Sequence, residues 1–323
     1  MKTDKAYLAF GLLLAGLVVL GLMGDRFLLY ISMRIMILAI FALGFDILFG
    51  RTGLLSFGHG AFYAGGAYGV ALCYMHLAKD PLLCLLAGVL LAAGLALVIG
   101  FFCVRHTEIY FAMLTLAFGM MVFSLIWNLR EITGGDDGLV GIGRQALNLG
   151  LAKLPLRKES HFFFLVLFFF AGAVWVAHRI RTSPFGLILA GIRENDRRTE
   201  FAGVNIKNYR LAAFVISGAM AGLAGGLGVL LESNATPHIS HWSHSSDPVL
   251  VGLIGGLNTL AGPLVGSLVF VGLKELVMRF TTYWMLCFGV VLLIILLGFR
   301  GGVVGTLVQR LTPRKQVQPG VQP

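Results

Sequence analysis

His238, His241, His244 and Asp247 recur at every third position, a spacing of imidazole and carboxylate groups that could hold a divalent metal. A 3₁₀ turn would stack all four on one side, whereas an α-helix would spread them over half its circumference. A solvated, serine-rich loop is the ordinary explanation, so the expectation is no metal, with His238, His241 and His244 kept as candidates. Cys73, Cys84, Cys103 and Cys287 lie scattered through apolar stretches without metal-ligand or redox spacing, and read as small buried hydrophobes. The dipeptide Gly-Lys never occurs, which excludes a Gly-x-x-x-x-Gly-Lys-Ser/Thr phosphate loop. If ATP drives this protein, another chain binds it.

The densest polar chemistry is an island over residues 179–210, with seven of the chain's 25 Lys/Arg and three of its 15 Asp/Glu. Ser183 followed by Pro184 reads as a helix N-cap and first helical residue. Phe185, Ile188, Leu189 and Ile192 then form the apolar stripe of a short helix. Asn195 or Asp196 caps a second short helix, which Gly203 closes in a left-handed turn. Arg193, Glu194, Asn195, Asp196, Glu200 and Gly203 are thus candidates for a surface that docks a partner. A solvated loop whose stripe rests on lipid headgroups is the alternative.

The elements that position these groups follow from composition. Of 323 residues 58% are hydrophobic and 12% charged, with mean hydropathy +0.87, so the chain reads as an all-α polytopic membrane protein. A net charge of +10 would suggest nucleic acid in a soluble protein. Here the basic residues fall between apolar runs, where they orient spans, and no nucleic-acid partner is expected. Apolar runs cover 6–24, 27–50, 54–78, 82–104, 108–129 and 161–178 before the island, and 211–231, 247–273 and 281–299 after it. The first run is too long for a signal peptide and reads as a retained span.

The island and the tail residues Arg300, Arg310, Arg314 and Lys315 both belong in the cytoplasm, which requires an even number of crossings between them. Splitting 247–273 at its glycine-rich break into 247–257 and 263–279 satisfies this. The result is about ten transmembrane helices with both termini cytoplasmic. One transmembrane domain then fills 1–310, with external loops at 130–160 and 232–246 and a cytoplasmic tail at 311–323.

Broken or short segments around 50–60 and 247–263 point to a translocation path, since unpaired backbone at membrane depth is tolerated only beside protein or a cavity. Ser56, His59, Gly60, Thr115, Phe118, Gly255 and Gly256 are the candidates to line it. Close helix packing by glycine is the competing account, and for His59 hydrogen-bonded packing competes equally with substrate contact. Asp46 either neutralises Arg51 or reaches the headgroups, with the latter favoured.

Six stretches carry a family resemblance. Ala42-Leu-Gly-Phe-Asp-Ile-Leu-Phe-Gly-Arg-Thr-Gly-Leu-Leu-Ser-Phe-Gly-His-Gly60, running on to Tyr68, resembles the second-to-third span signature of LivM-type branched-chain amino-acid ABC permeases. Tyr110-Phe-Ala-Met-Leu-Thr-Leu-Ala-Phe118 and Thr133-Gly-Gly-Asp-Asp-Gly-Leu-Val-Gly-Ile142 are similar to that family's fifth span and following loop. The island resembles its ATPase-coupling loop. Leu253-Ile-Gly-Gly-Leu-Asn-Thr-Leu-Ala-Gly-Pro-Leu-Val-Gly266 and Phe299-Arg-Gly-Gly302 resemble its late break and exit.

The resemblance implies the permease subunit of an importer in a bacterial inner membrane, itself no enzyme and without a cofactor of its own. It implies a second permease subunit, two cytoplasmic ATPases that bind ATP and Mg, and an extracytoplasmic solute-binding protein. Branched-chain amino acids are the leading substrate, with urea, amides and small carboxylates open. Asp46, where the family usually has Asn, and Arg51 depart from its pattern. From a different class, a stand-alone channel or ion-coupled carrier would use a mid-span ionisable group, for which Lys274 and Glu275 are the candidates.

Overall fold

The computed structural model describes residues 11, 14–22, 25–106, 108–145, 147–148, 153–154, 156, 158–257, 259–298, 302 and 304–306. The span expected over 6–24 enters it as helical residues 14–22 (α1); the tail 311–323, with Arg300 and Arg310, lies outside the described residues. Then follow α2 (Arg26–Thr52), α3 (His59–His76), α4 (Pro81–Cys103), α5 (Glu108–Asn128), α6 (Glu159–Thr182), α7 (Pro184–Glu194), α8 (Asp196–Phe201), α9 (Ile206–Glu232), α10 (Trp242–Gly255), α11 (Ala261–Phe280) and α12 (Trp284–Gly298).

Side-chain caps set several of these ends. Asp25 accepts a hydrogen bond from the Phe27 amide at 3.1 Å, and Asp80 one from Leu82 at 3.0 Å, with Pro81 at the first helical position. Among the described residues six helices, α2, α4, α5, α6, α9 and α11, are long and apolar enough to cross a membrane. With 18, 14 and 15 residues, α3, α10 and α12 reach about 27, 21 and 22 Å, short of a ~30 Å hydrocarbon core.

The interior is built by α2, α3, α4 and α9, drawn together by small residues. A Cβ on Gly66 would stand 2.0 Å from the Gly222 carbonyl oxygen, and one on Gly225 would stand 1.9 Å from that of Tyr63. Only glycine allows α3 and α9 this approach. α2 and α9 run antiparallel, with the Tyr30 hydroxyl donating to Glu232 at 2.8 Å and Ser217 donating to the Gly44 carbonyl at 2.6 Å. At the end of α9, Arg144 donates to the carbonyls of Leu230 and Leu231 (2.7 and 2.6 Å), closing two of the orphaned acceptors of the last turn. Burial of Arg144 pulls its pKa below the ordinary arginine value, against the favourable field of Glu159.

The structure moves two expected boundaries. The third span begins at His59 rather than at 54, because Gly53 ends α2 in a left-handed turn (φ +78°) and residues 53–58 are not helical. Their amides find side chains instead: Leu54 donates to Thr52 Oγ1, Phe57 to Thr115 Oγ1 and Gly58 to Ser56 Oγ, at 3.2–3.3 Å.

The helix expected from 247 begins at Trp242, since His241 accepts from the Ser243 amide and caps it (3.4 Å). The loop before it is correspondingly shorter than 232–246 and holds β4 (Asn234–Ala235) and a 3₁₀ turn, Pro237–Ser240. β4 pairs antiparallel with β1 (Leu139–Val140), which ties the two long loops together at one end of the bundle. A second ladder within the first loop pairs β2 (Leu147–Asn148) with β3 (Lys153–Leu154). α10 and α11 form an antiparallel hairpin closed by glycines: a Cβ on Gly255 would lie 1.8 Å from Gly262 O, and one on Gly266 2.1 Å from Val251 O.

Candidate functional site

The polar island folds as the sequence pattern dictates. Ser183 caps α7, accepting from the Gly186 amide at 3.2 Å, and Asn195, rather than Asp196, caps α8 through the Arg198 amide at 2.9 Å. Gly203 takes the left-handed conformation at φ +85°. The stripe faces inward: Leu189 and Ile192 are buried, and Phe185 stacks on Tyr209 at 5.7 Å.

Three charged contacts bolt the island to the bundle. Arg181 pairs with Asp46 on α2, and Arg210 on α9 pairs with Asp196. Arg193 donates to the Gly50 carbonyl at 2.7 Å. The Asp46 expectation is thereby corrected. Its carboxylate is 2% exposed and turned to the island, because a buried carboxylate needs a cationic partner more than it gains from distant headgroups. Glu194, Arg197, Arg198, Glu200 and Gly203 remain exposed, beside two exposed apolar side chains, Leu187 and Phe201 at 75% and 91%. The sequence reading passed over Leu187 and Phe201; their signal is that they fall off the inward stripe.

The broken segment after α2 packs against α5 and α9. Ser56, His59 and Thr115 are completely buried. Ser217 spends its proton on the Gly44 carbonyl, so its oxygen accepts from His59 Nε2 at 2.7 Å. Phe45 and Phe62 meet the imidazole edge-on at 5.2 and 5.6 Å. The Gly60 amide donates to Ser245 Oγ at 2.7 Å, joining the early break to the start of α10. Thr115 donates to Ala112 O and accepts from Phe57 N, while Phe118 stacks on Phe102 at 6.0 Å. Gly255 and Gly256 are buried at the hairpin turn, Gly256 at φ +106°. An apolar cavity of about 520 Å³ opens between Gly53, Leu55 and Phe57 on one side and Ile109, Ala112 and Met113 of α5 on the other.

The histidines do not converge. His238 and His241 lie in and after the 3₁₀ turn, against Trp127 and Phe123 of α5 (ring centroids 6.1 and 5.3 Å). His244, one helix further on, pairs with Asp247 at 2.9 Å and stacks on Phe41. Among the described residues no three His, Cys, Asp or Glu side chains are placed to hold a metal ion, because the 3₁₀ turn ends at Ser240 and the α-helical spacing after it separates the rings. A group that sequence reasoning left unassembled lies nearby. Arg34, Glu232, Asp247 and Lys274, from four different helices, line one cavity at the end of the bundle away from the island. Of the four, Asp247 and Lys274 stand out in the sequence, each for a different role, whereas Arg34 and Glu232 carry no local signal that joins them to the others.

The family described as branched-chain amino acid transport system / permease component matches residues 27–296. The high-affinity branched-chain amino acid transport system permease protein LivM of Escherichia coli (strain K12) is 31% identical over 274 residues, 79% of this chain and 64% of that protein. Its counterpart in Salmonella typhimurium is 30% identical over 279 residues, 80% and 65% of the two chains. The probable branched-chain amino acid transport permease protein LivM of Methanocaldococcus jannaschii is 26% identical over 270 residues, 76% of each. The chain thus spans about two thirds of the length of the first two relatives. No solved structure matches it.

Proposed function

The chain belongs to the family of branched-chain amino acid transport system permease components, and on that footing we propose that it is the non-catalytic membrane subunit of an ATP-driven importer for branched-chain amino acids. The reading includes about ten crossings with both termini in the cytoplasm of a bacterial inner membrane. It also includes a second permease subunit, two ATPases carrying ATP and Mg, and an extracytoplasmic solute-binding protein. The curated relatives, whose names state branched-chain amino acid transport, support the substrate class.

The observation that carries the mechanism is the attachment of the island. Docked on an ATPase through Glu194, Glu200 and Phe201, α7 and α8 would transmit any displacement to α2 through Arg181–Asp46 and Arg193–Gly50. The next residues along the chain are the broken segment 53–58 and the cavity beside α5. Broken helices offer backbone donors and acceptors to a zwitterion without a charged side chain, which keeps Ser56, His59, Gly60, Thr115, Phe118, Gly255 and Gly256 as the proposed border of the path.

Reconstitution in proteoliposomes tests the reading. ATP-dependent leucine uptake is expected only when both permease subunits, the ATPases and the binding protein are present. Gradient-driven or passive uptake by this chain alone would replace the reading with the channel or carrier class. Reversing Glu194→Lys with Glu200→Lys is expected to cut coupled uptake by roughly tenfold or more through like-charge contacts at the docked face, with membrane insertion unchanged.

A further inference from the structure

The cavity lined by Arg34, Glu232, Asp247 and Lys274 has a volume of about 290 Å³. At ~30 Å³ per water it holds roughly ten, near the heavy-atom count of a free leucine. Ile37, Leu38, Phe41, Phe270 and Val271 supply apolar wall between the charged groups. Two cations and two carboxylates therefore face one small space with a balanced charge.

Each of the four is steadied by a neighbour. Arg34 pairs with Glu275 at 2.9 Å, Glu232 accepts from the Tyr30 hydroxyl at 2.8 Å, and Asp247 pairs with His244 at 2.9 Å. Lys274 lies over the Trp284 ring, 5.3 Å from its centroid. Among the described residues none of the four is ion-paired with another of the four, although they share the cavity. Opposite charges that line one pocket without pairing each other leave groups of both signs open to a ligand. A lone cation or a lone anion would meet like charge among them. A molecule carrying both charges on groups attached to one carbon, with an apolar body, would meet both signs and the wall.

We propose that this cavity is a binding site for the α-amino acid zwitterion, with Arg34 and Lys274 receiving the carboxylate, Glu232 and Asp247 the ammonium, and Phe41 and Phe270 part of the wall against which the aliphatic side chain rests. The proposal rests on the amino-acid importer reading and locates a substrate site at the end of the bundle opposite the island. The steadying partners hold the side chains in place before the ligand arrives, which limits the ordering cost of binding.

The test uses the assembled complex of permease and ATPase subunits in detergent, without binding protein, and equilibrium binding of radiolabelled L-leucine. Lys274→Met and Asp247→Asn are each expected to weaken binding roughly tenfold or more, the loss of one hydrogen bond to a charged group. Lys274→Arg, which keeps the charge, should bind within roughly threefold of the parent. The one-charge analogues 4-methylpentanoate and 3-methylbutylamine should each compete roughly tenfold more weakly than leucine.

Equal competition by either analogue, or unchanged leucine binding in Lys274→Met and Asp247→Asn complexes of normal yield, overturns the proposal. So does import by the parent complex with no leucine binding to it, and in that case the importer reading survives. Absence of amino-acid import by the fully reconstituted parent system removes both.

Discussion

Removing the guanidinium of Arg181 should destabilise the protein more than removing its whole ion pair. Asp46 and Arg181 are 2% and 9% exposed, so neither charge is well screened by solvent. Truncation to Arg181→Ala leaves the Asp46 carboxylate buried beside α2 without this partner, a change that costs about 3–5 kcal/mol for a buried pair. The double variant Asp46→Asn, Arg181→Met removes both charges while retaining most of the volume, and buried pairs replaced in this way are often neutral to within a few kcal/mol. The coupling energy from the cycle is expected to be about 2 kcal/mol or more, favouring the intact pair over either single variant. Thermal denaturation in detergent, followed by tryptophan fluorescence, measures it. At about 2–4 °C per kcal/mol, Arg181→Ala should melt several degrees below the parent and the double variant close to it. A single variant that melts with the parent, or a double variant whose loss equals the sum of the singles, refutes the view that this pair anchors the island.

Ser217→Ala should cost about 1–3 kcal/mol, because the buried His59 Nε2 loses its acceptor and the Gly44 carbonyl loses one of its donors; the same melting assay reads it. Gly66→Val places a side chain where even a Cβ would be 2.0 Å from the Gly222 carbonyl oxygen, so the yield of folded monodisperse protein should collapse. Gly255→Val, whose Cβ would lie 1.8 Å from the Gly262 carbonyl oxygen, should lower the yield too, so its role at the border of the path is read from transport per assembled complex, and normal transport by the complex that does assemble would remove Gly255 from that border. Single-cysteine labelling at position 195 in a Cys-less background is expected from the cytoplasmic side only; labelling from outside alone would reverse the topology.

Much of this architecture is legible in the apolar runs. The ends of α2, α4, α5, α9 and α11 fall within a few residues of the run boundaries, since caps such as Asp25 and Asp80 stand at the run edges. The stripe of α7, its Ser183 cap and the turn at Gly203 follow from local periodicity alone. What the pattern does not carry is partnership across the bundle. Asp46 meets Arg181 over a separation of 135 residues, and nothing in the spacing of either distinguishes that contact from one with Arg51. The same limit hid the charged cavity, whose four charged residues come from α2, α9, α10 and α11 and meet only once those helices pack. The start of α3 was displaced for another reason: residues 54–58 continue an apolar run, and the left-handed Gly53 and the side-chain partners of the following amides hold them out of a helix.

The two helices that carry Arg34 and Glu232 into the cavity are also the two that the island grips. α2 holds Arg34 near one end and the Asp46 and Gly50 attachments near the other; α9 holds Glu232 at its last residue and Arg210 in its first turns. Each has 27 residues, about 40 Å of continuous helix, and Ser217 fastens one to the other midway. They make a pair of coupled levers with a shared pivot. Thermodynamic linkage then sets a symmetric rule. If a protein seated on the island favours one position of the levers, it alters the affinity of the cavity, and a cavity ligand alters the affinity of the island for that protein by the same factor. Measuring either affinity in the presence and absence of the other ligand yields one number, and the two experiments must agree.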